Sequence, residues 1–199
     1  MFGVNDYGAF VVAVIVFLAI PGPGNLALVT STGKGGLTGG LAATLGVIAG
    51  DQVLIWLAVA GMAALLSTSP VLFASVQWLG AAYLLWLALQ AVRHGSNFVI
   101  KADGDAVVSK KGAFLNGLWV NLLNPKVIIF FMTFLPQFVT ATDPHVTGKL
   151  IFLGMWSIIL SLPIGVGIVY GADFMSSWLQ ANRKVLRGID YTFAGVFSI

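Results

Sequence analysis

Read for polarity alone, the chain alternates long apolar runs with short polar patches, and the runs have the length a bilayer asks of a helix. At roughly 20 residues per crossing, six spans are predicted at about 7–32, 38–66, 70–92, 113–139, 147–172 and 186 to the end. The last run, "VLRGIDYTFAGVFSI", leaves only about 12 residues after Arg187, short of a crossing, so a C-terminal helix trimmed in this chain is expected. Neither a basic stretch nor a small-residue cleavage site precedes the first run in "MFGVNDYGAF", and no removable signal peptide is read there. The expected fold is all-α, a polytopic membrane protein forming one domain over residues 1–199.

Two of the runs are interrupted. "AIPGPGNLALV" (residues 19–29) places Pro21, Gly22, Pro23 and Gly24 inside the first span, and "NLLNPK" (residues 121–126) falls inside the fourth. Asn124 followed by Pro125 reads as an N-cap and a first helical position, so a new half-helix is predicted there. Gly22 and Pro23 likewise end one half-helix and begin another, with Gly24 allowing close approach of a ligand or a neighbouring backbone. Each new N-terminus offers unpaired N–H groups and a positive dipole end to a carboxylate, and Asn25, Asn121 and Asn124 add amide hydrogen bonds. A plain kink is the competing explanation of one break. Two breaks at matching positions favour a binding site. Pro163, in "SLPIGVG", is predicted to break the fifth span near its centre. Gly39, Gly40, Gly46, Gly50, Gly61, Gly154, Gly165, Gly167 and Gly171 are read as helix-packing positions, and the six tryptophans as mostly lipid-facing or interfacial.

Three spans precede the polar segment 94–112 and three follow it, so the second half enters the membrane from the opposite side. Residues 1–93 and 113–199 are therefore predicted to be inverted three-helix repeats, with broken first and fourth helices. Eight of the ten Lys and Arg residues lie on alternate connections. By the positive-inside rule the first, third and fifth loops are cytoplasmic and the N-terminus is outside.

Composition agrees with the pattern: 58% hydrophobic and 9% charged residues, with a mean hydropathy of +0.96, cannot be hidden in a soluble core of 199 residues. The net charge of +3 is spread between spans and forms no basic face, so nucleic acid is not an expected partner. With no cysteine, disulfides, thiolate metal sites and dithiol redox chemistry are excluded; no metal or cofactor is expected. Asp51, in "LGVIAGDQVLIW", stands near the middle of the second span, and an unpaired carboxylate there costs about 2.5–3.5 kcal/mol on insertion scales. It is assigned to a substrate ammonium or to a transported proton. The structural alternative is an ion pair with Lys126, the only equally deep basic residue. An intramembrane protease is a poor fit: Ile48 occupies the first glycine position of a Gly-x-Gly-Asp signature, there is no HExxH, and His94 and His145 fall outside the spans. No enzyme activity is expected.

The stretches "PGPGNLALVTSTGKGGLTGGLAATLGVIAGD", "VQWLGAAYLLWLALQAVR" and "VNLLNPKVIIFFMTFLPQF" together resemble the lysine exporter superfamily, in its homoserine/threonine-resistance branch. Residues 46–73 look closest to leucine-type exporters. The resemblance implies export of amino acids across the bacterial inner membrane, coupled to the proton gradient, and its motif positions fall on Pro21, Gly22, Pro23, Asp51, Asn124, Pro125 and Lys126. The expected substrate is leucine-like, with Phe131, Met132 and Phe134 around its side chain, because no further charge lies near the centre to match a basic head. Threonine, homoserine or a homoserine lactone is the alternative, its hydroxyl bound by Asn25 and Asn121. Protons and membrane lipid are the remaining expected partners, and a homo-oligomer is compatible with the sequence.

Overall fold

The structure, a computed structural model, describes residues 6–20, 22–94, 108–140 and 143–181, and its regular elements there are all helical. The first apolar run becomes α1, Tyr7–Ala19, whose first turn is capped by the Asp6 carboxylate accepting from the Ala9 N–H at 3.2 Å. At Ile20 the backbone turns extended, as the residue before a proline must. α2, Pro23–Thr68, then starts with proline at its first position. The predicted break in the first span is thus present. Pro21 itself lies outside the described residues.

α2 is not one rod. Gly36 adopts φ 62° and ψ −163°, a combination essentially reserved to glycine, and divides α2 into arms 23–35 and 37–68. The arms fold back on one another: a Cβ at Gly39 would stand 2.5 Å from the Ser31 carbonyl oxygen, and one at Gly40 would overlap the Thr32 hydroxyl. The polar gap expected between the first two spans is therefore a reversal at a single residue.

α3 covers Pro70–His94 and α4 covers Lys110–Leu122, with the Ser109 hydroxyl accepting from the Gly112 N–H at 3.1 Å. The fourth span breaks at Leu123 and Asn124 as predicted, and resumes as α5, Pro125–Ile129. It then loosens into a π-helical turn, Phe130–Phe134, and tightens into a 3-10 turn, Leu135–Phe138. Its two parts meet at 55°. α6, Val146–Ala181, continues without interruption past Pro163 and beyond the predicted end of the fifth span, which corrects the expected break there. A proline removes one backbone hydrogen bond, and a long membrane helix accommodates that loss. Residues 95–107 of the connecting segment and the whole sixth predicted span, with Arg183, Lys184 and Arg187, lie outside the described residues.

Among the described residues, two stretches, Pro23–Leu65 with its reversal at Gly36 and Val146–Trp178, are long and apolar enough to cross a bilayer, and the bent fourth span makes a third. The protein is an all-α polytopic membrane protein. Its central contact is the second arm of α2 against α4, where backbones nearly touch. A Cβ at Gly46 would overlap the Phe114 carbonyl, one at Gly117 would overlap the Ala43 carbonyl, and one at Gly50 would lie 2.9 Å from Asn121 Nδ2. Gly154 of α6 similarly meets Ile55. Gly61, Gly167 and Gly171, by contrast, face open space, so their predicted packing role does not hold within the described residues. The main apolar cluster joins Phe10 and Val14 of α1, Ile55 and Met62 of α2, Phe130 and Leu135 of the broken span, and Leu150 and Leu153 of α6. Trp56, Trp78, Trp86, Trp119 and Trp178 are exposed, as lipid-facing residues would be, whereas Trp156 packs against Tyr7 and Phe152.

Candidate functional site

The two helix breaks open onto one cavity. Gly22, Gly24 and Asn25 reach it from the first break and Asn121, Asn124 and Lys126 from the fourth, while Asp51 enters from the second arm of α2. Most of the remaining wall is apolar, supplied by α1, both arms of α2, the broken span and α6.

Asp51 is buried, and its Oδ1 accepts from Asn121 Nδ2 at 2.8 Å. The same amide donates to the Val47 carbonyl at 3.0 Å. Both N–H groups of the Asn121 side chain are then committed to α2, and a buried carboxylate receives one donor from the opposite half of the chain. Gly50 makes room for this contact, because any side chain at that position would press on Asn121.

Lys126 does something else. Its Nζ donates to the carbonyls of Phe17, at 2.9 Å, and Ile20, at 2.7 Å, and stands 4.4 Å from the centre of the Phe17 ring. These carbonyls belong to the end of α1, where the last turn has no N–H partners of its own. The expected alternative of an Asp51–Lys126 ion pair is therefore corrected: Asp51 is held by Asn121, and Lys126 closes the end of α1. A tethered ammonium is drawn there by two free carbonyls, the negative end of the helix dipole and an aromatic face.

The two new N-termini differ. At α2 the N-cap is Gly22 and no side chain caps the first turn. Pro23 has no N–H and Leu26 N–H donates to the Gly22 carbonyl at 3.1 Å, so Gly24 and Asn25 carry the first-turn N–H groups without an intrahelical partner. Both residues line the cavity. At α5, Asn124 Oδ1 accepts from the Lys126 N–H at 3.1 Å, so that end is already capped by its own chain.

Over residues 15–199 the sequence matches the LysE type translocator family. The chain belongs to that family. Among curated proteins, this LysE-type chain is 32% identical over 186 residues to a leucine efflux protein of Salmonella typhimurium, covering 94% of this chain and 88% of the relative. It is 33% identical over 192 residues to a leucine efflux protein of Enterobacter sp., with the same 94% and 88% covered. No solved structure matches it.

Of the residues singled out in the sequence of this LysE-type chain, Gly22, Gly24, Asn25, Asp51, Asn121, Asn124 and Lys126 line one cavity. Pro23 and Pro125 shape the backbone at the first positions of α2 and α5 and do not line it. Phe131 is in the wall as expected, but Met132 and Phe134 pack into the main apolar cluster instead, and Phe130 faces the cavity in their place. Phe130 and Phe131 follow Lys126 and Val127 at ordinary helical spacing on the same side of the broken span. Phe17, Thr44, Ser157 and Ser161 were not foreseen as wall residues. Each of the three hydroxyls donates to a carbonyl of its own helix, leaving lone pairs for a ligand.

Proposed function

We propose that this chain exports amino acids across the bacterial inner membrane, that its substrate is leucine-like, and that it exchanges substrate for protons. The observation that carries the reading is the convergence of both helix breaks, one buried carboxylate and one tethered ammonium on a single, mostly apolar cavity. A zwitterion matches it. The carboxylate is received by the Gly24 and Asn25 N–H groups with Lys126 beside them, and the ammonium by Asp51. Among the described residues no third charged side chain lines the cavity, which favours an apolar side chain over lysine or arginine. The leucine efflux activity named for the curated relatives supports the same substrate. The proposed arrangement is two inverted repeats, residues 1–93 and 113–199, with the N-terminus periplasmic and the odd-numbered loops cytoplasmic.

Threonine or homoserine is the second reading, favoured by the hydroxyls of Thr44, Ser157 and Ser161 in the wall and weakened by the full commitment of the Asn121 amide hydrogens. Counter-transport by purified protein in proteoliposomes decides between them. Leucine and its apolar neighbours should exchange fastest, and leucinamide and the des-amino acid should exchange at least tenfold more slowly, the loss of about 1.4 kcal/mol expected from one charged contact. Preference for lysine, or indifference to loss of either charge, would contradict the proposal.

A further inference from the structure

The end of α1 is built as a cation site. Phe17 and Ile20 present carbonyl oxygens at 2.9 and 2.7 Å to one nitrogen, the Phe17 ring lies 4.4 Å below it, and that ring is itself stacked on Phe130 at 4.1 Å. Gly22 lies beside that nitrogen, where a Cβ would make ordinary van der Waals contact with Nζ at 3.8 Å. Carbonyls at the C-terminal end of a half-helix, backed by an aromatic face, are what a free monovalent cation needs when a membrane helix is broken. Here the cation arrives on a side chain from the other half of the chain, 106 residues beyond Ile20. We infer that the break after α1 is a monovalent-cation site permanently filled by the Lys126 ammonium, and that the site takes a small alkylammonium when this side chain is cut back.

The inference rests on the same cavity as the proposed export. It gives Lys126 a positioning role: the ammonium fixes the gap between α1 and α2, and the substrate carboxylate meets an end already in place. Two of its three donors are spent on carbonyls, so one remains for a ligand. Holding the cation covalently also frees the break from any dependence on dissolved cations.

The test is read on stability, so that it can fail separately from the transport reading. Detergent-purified wild type, Lys126→Ala and Lys126→Met are unfolded thermally in ammonium, methylammonium or choline chloride at one ionic strength. In choline, which has no N–H to donate, both variants should melt on the order of 5 °C below wild type. Ammonium and methylammonium should restore much of that loss to Lys126→Ala. They should leave Lys126→Met, whose side chain still fills the space, and wild type unmoved. If Lys126→Ala aggregates in choline, its recovery as a monodisperse species in ammonium is the same positive result. Equal behaviour of Lys126→Ala in all three salts, aggregation in all three, or an equal ammonium response in Lys126→Met or wild type would each overturn the inference.

Discussion

At Asp51 the shape of the side chain and its capacity to carry a proton can be separated. Asparagine keeps an oxygen to accept from Asn121 Nδ2, now at 2.8 Å from the carboxylate, so Asp51→Asn should fold. It carries no proton, and gradient-driven export should fall by a factor of ten or more, about 1.4 kcal/mol or greater, while leucine-for-leucine exchange persists. Vesicles under an imposed pH gradient measure both rates. The pH window is clean of one other contact: outside the spans, the Lys149 ammonium hydrogen-bonded to Asp143, helped by the His145 N–H, holds that carboxyl below the usual carboxylate range. A depressed carboxyl contributes its stability above about pH 4 and loses it as pH falls further, so between pH 5 and 8 the Asp143 carboxyl stays ionised. Undiminished gradient-driven export by folded Asp51→Asn would move the proton elsewhere. Asp51 was legible because a lone carboxylate in an apolar run is costly, and Asn121 and Lys126 were legible as polar residues at comparable depth. Their partners were not. Lys126 bonds to backbone carbonyls, and every residue has one, so nothing in the sequence marks Phe17 and Ile20 as acceptors.

Among the elements, the breaks in the first and fourth spans could be read directly, since proline fixes φ and removes a donor wherever it falls. The reversal inside α2 could not. "GKGG" reads as an ordinary polar loop, and only packing of residues 37–40 back onto residues 31 and 32 turns one of its glycines into a hinge of a single residue. Because Gly36 sits at φ 62° with ψ −163°, Gly36→Ala should cost about 1–3 kcal/mol, whereas Gly61→Ala, in a helix with open space around it, should gain about 0.5–1 kcal/mol. Thermal unfolding of the two purified variants against wild type checks the contrast; equal shifts would mean that the Gly36 backbone is relaxed by its surroundings. The π-helical turn was legible only in part: Pro136 has no N–H for the Met132 carbonyl one turn back, whereas the neighbour packed against the turn belongs to another element. Gly80 of α3 approaches so closely that a Cβ there would overlap Thr133, and Gln77 Nε2 donates at 2.8 Å to the Pro136 carbonyl, which also accepts from the Val139 N–H at 3.3 Å.

Across the whole molecule, the bent fourth span is tied to the first half on both sides of its bend: Asn121 to the second arm of α2, and Lys126 to α1. Alternating access, in the proposed cycle, must carry or exchange these ties as the halves move. They also set a schedule for biosynthesis. The carbonyls of Phe17 and Ile20 enter the membrane long before residue 126 is made, and unpaired carbonyls in lipid cost several kcal/mol each. A chain stopped at residue 94 should therefore be degraded several-fold faster than the full chain, and co-expression of residues 95–199 should restore its half-life, while the same fragment carrying Lys126→Met should not. Pulse-chase labelling reads this; equal lifetimes for all pairings would contradict it. On the expected outcome the lysine that closes the first helix would serve as a signal of completion, the carbonyls of Phe17 and Ile20 being satisfied only once the second half has arrived.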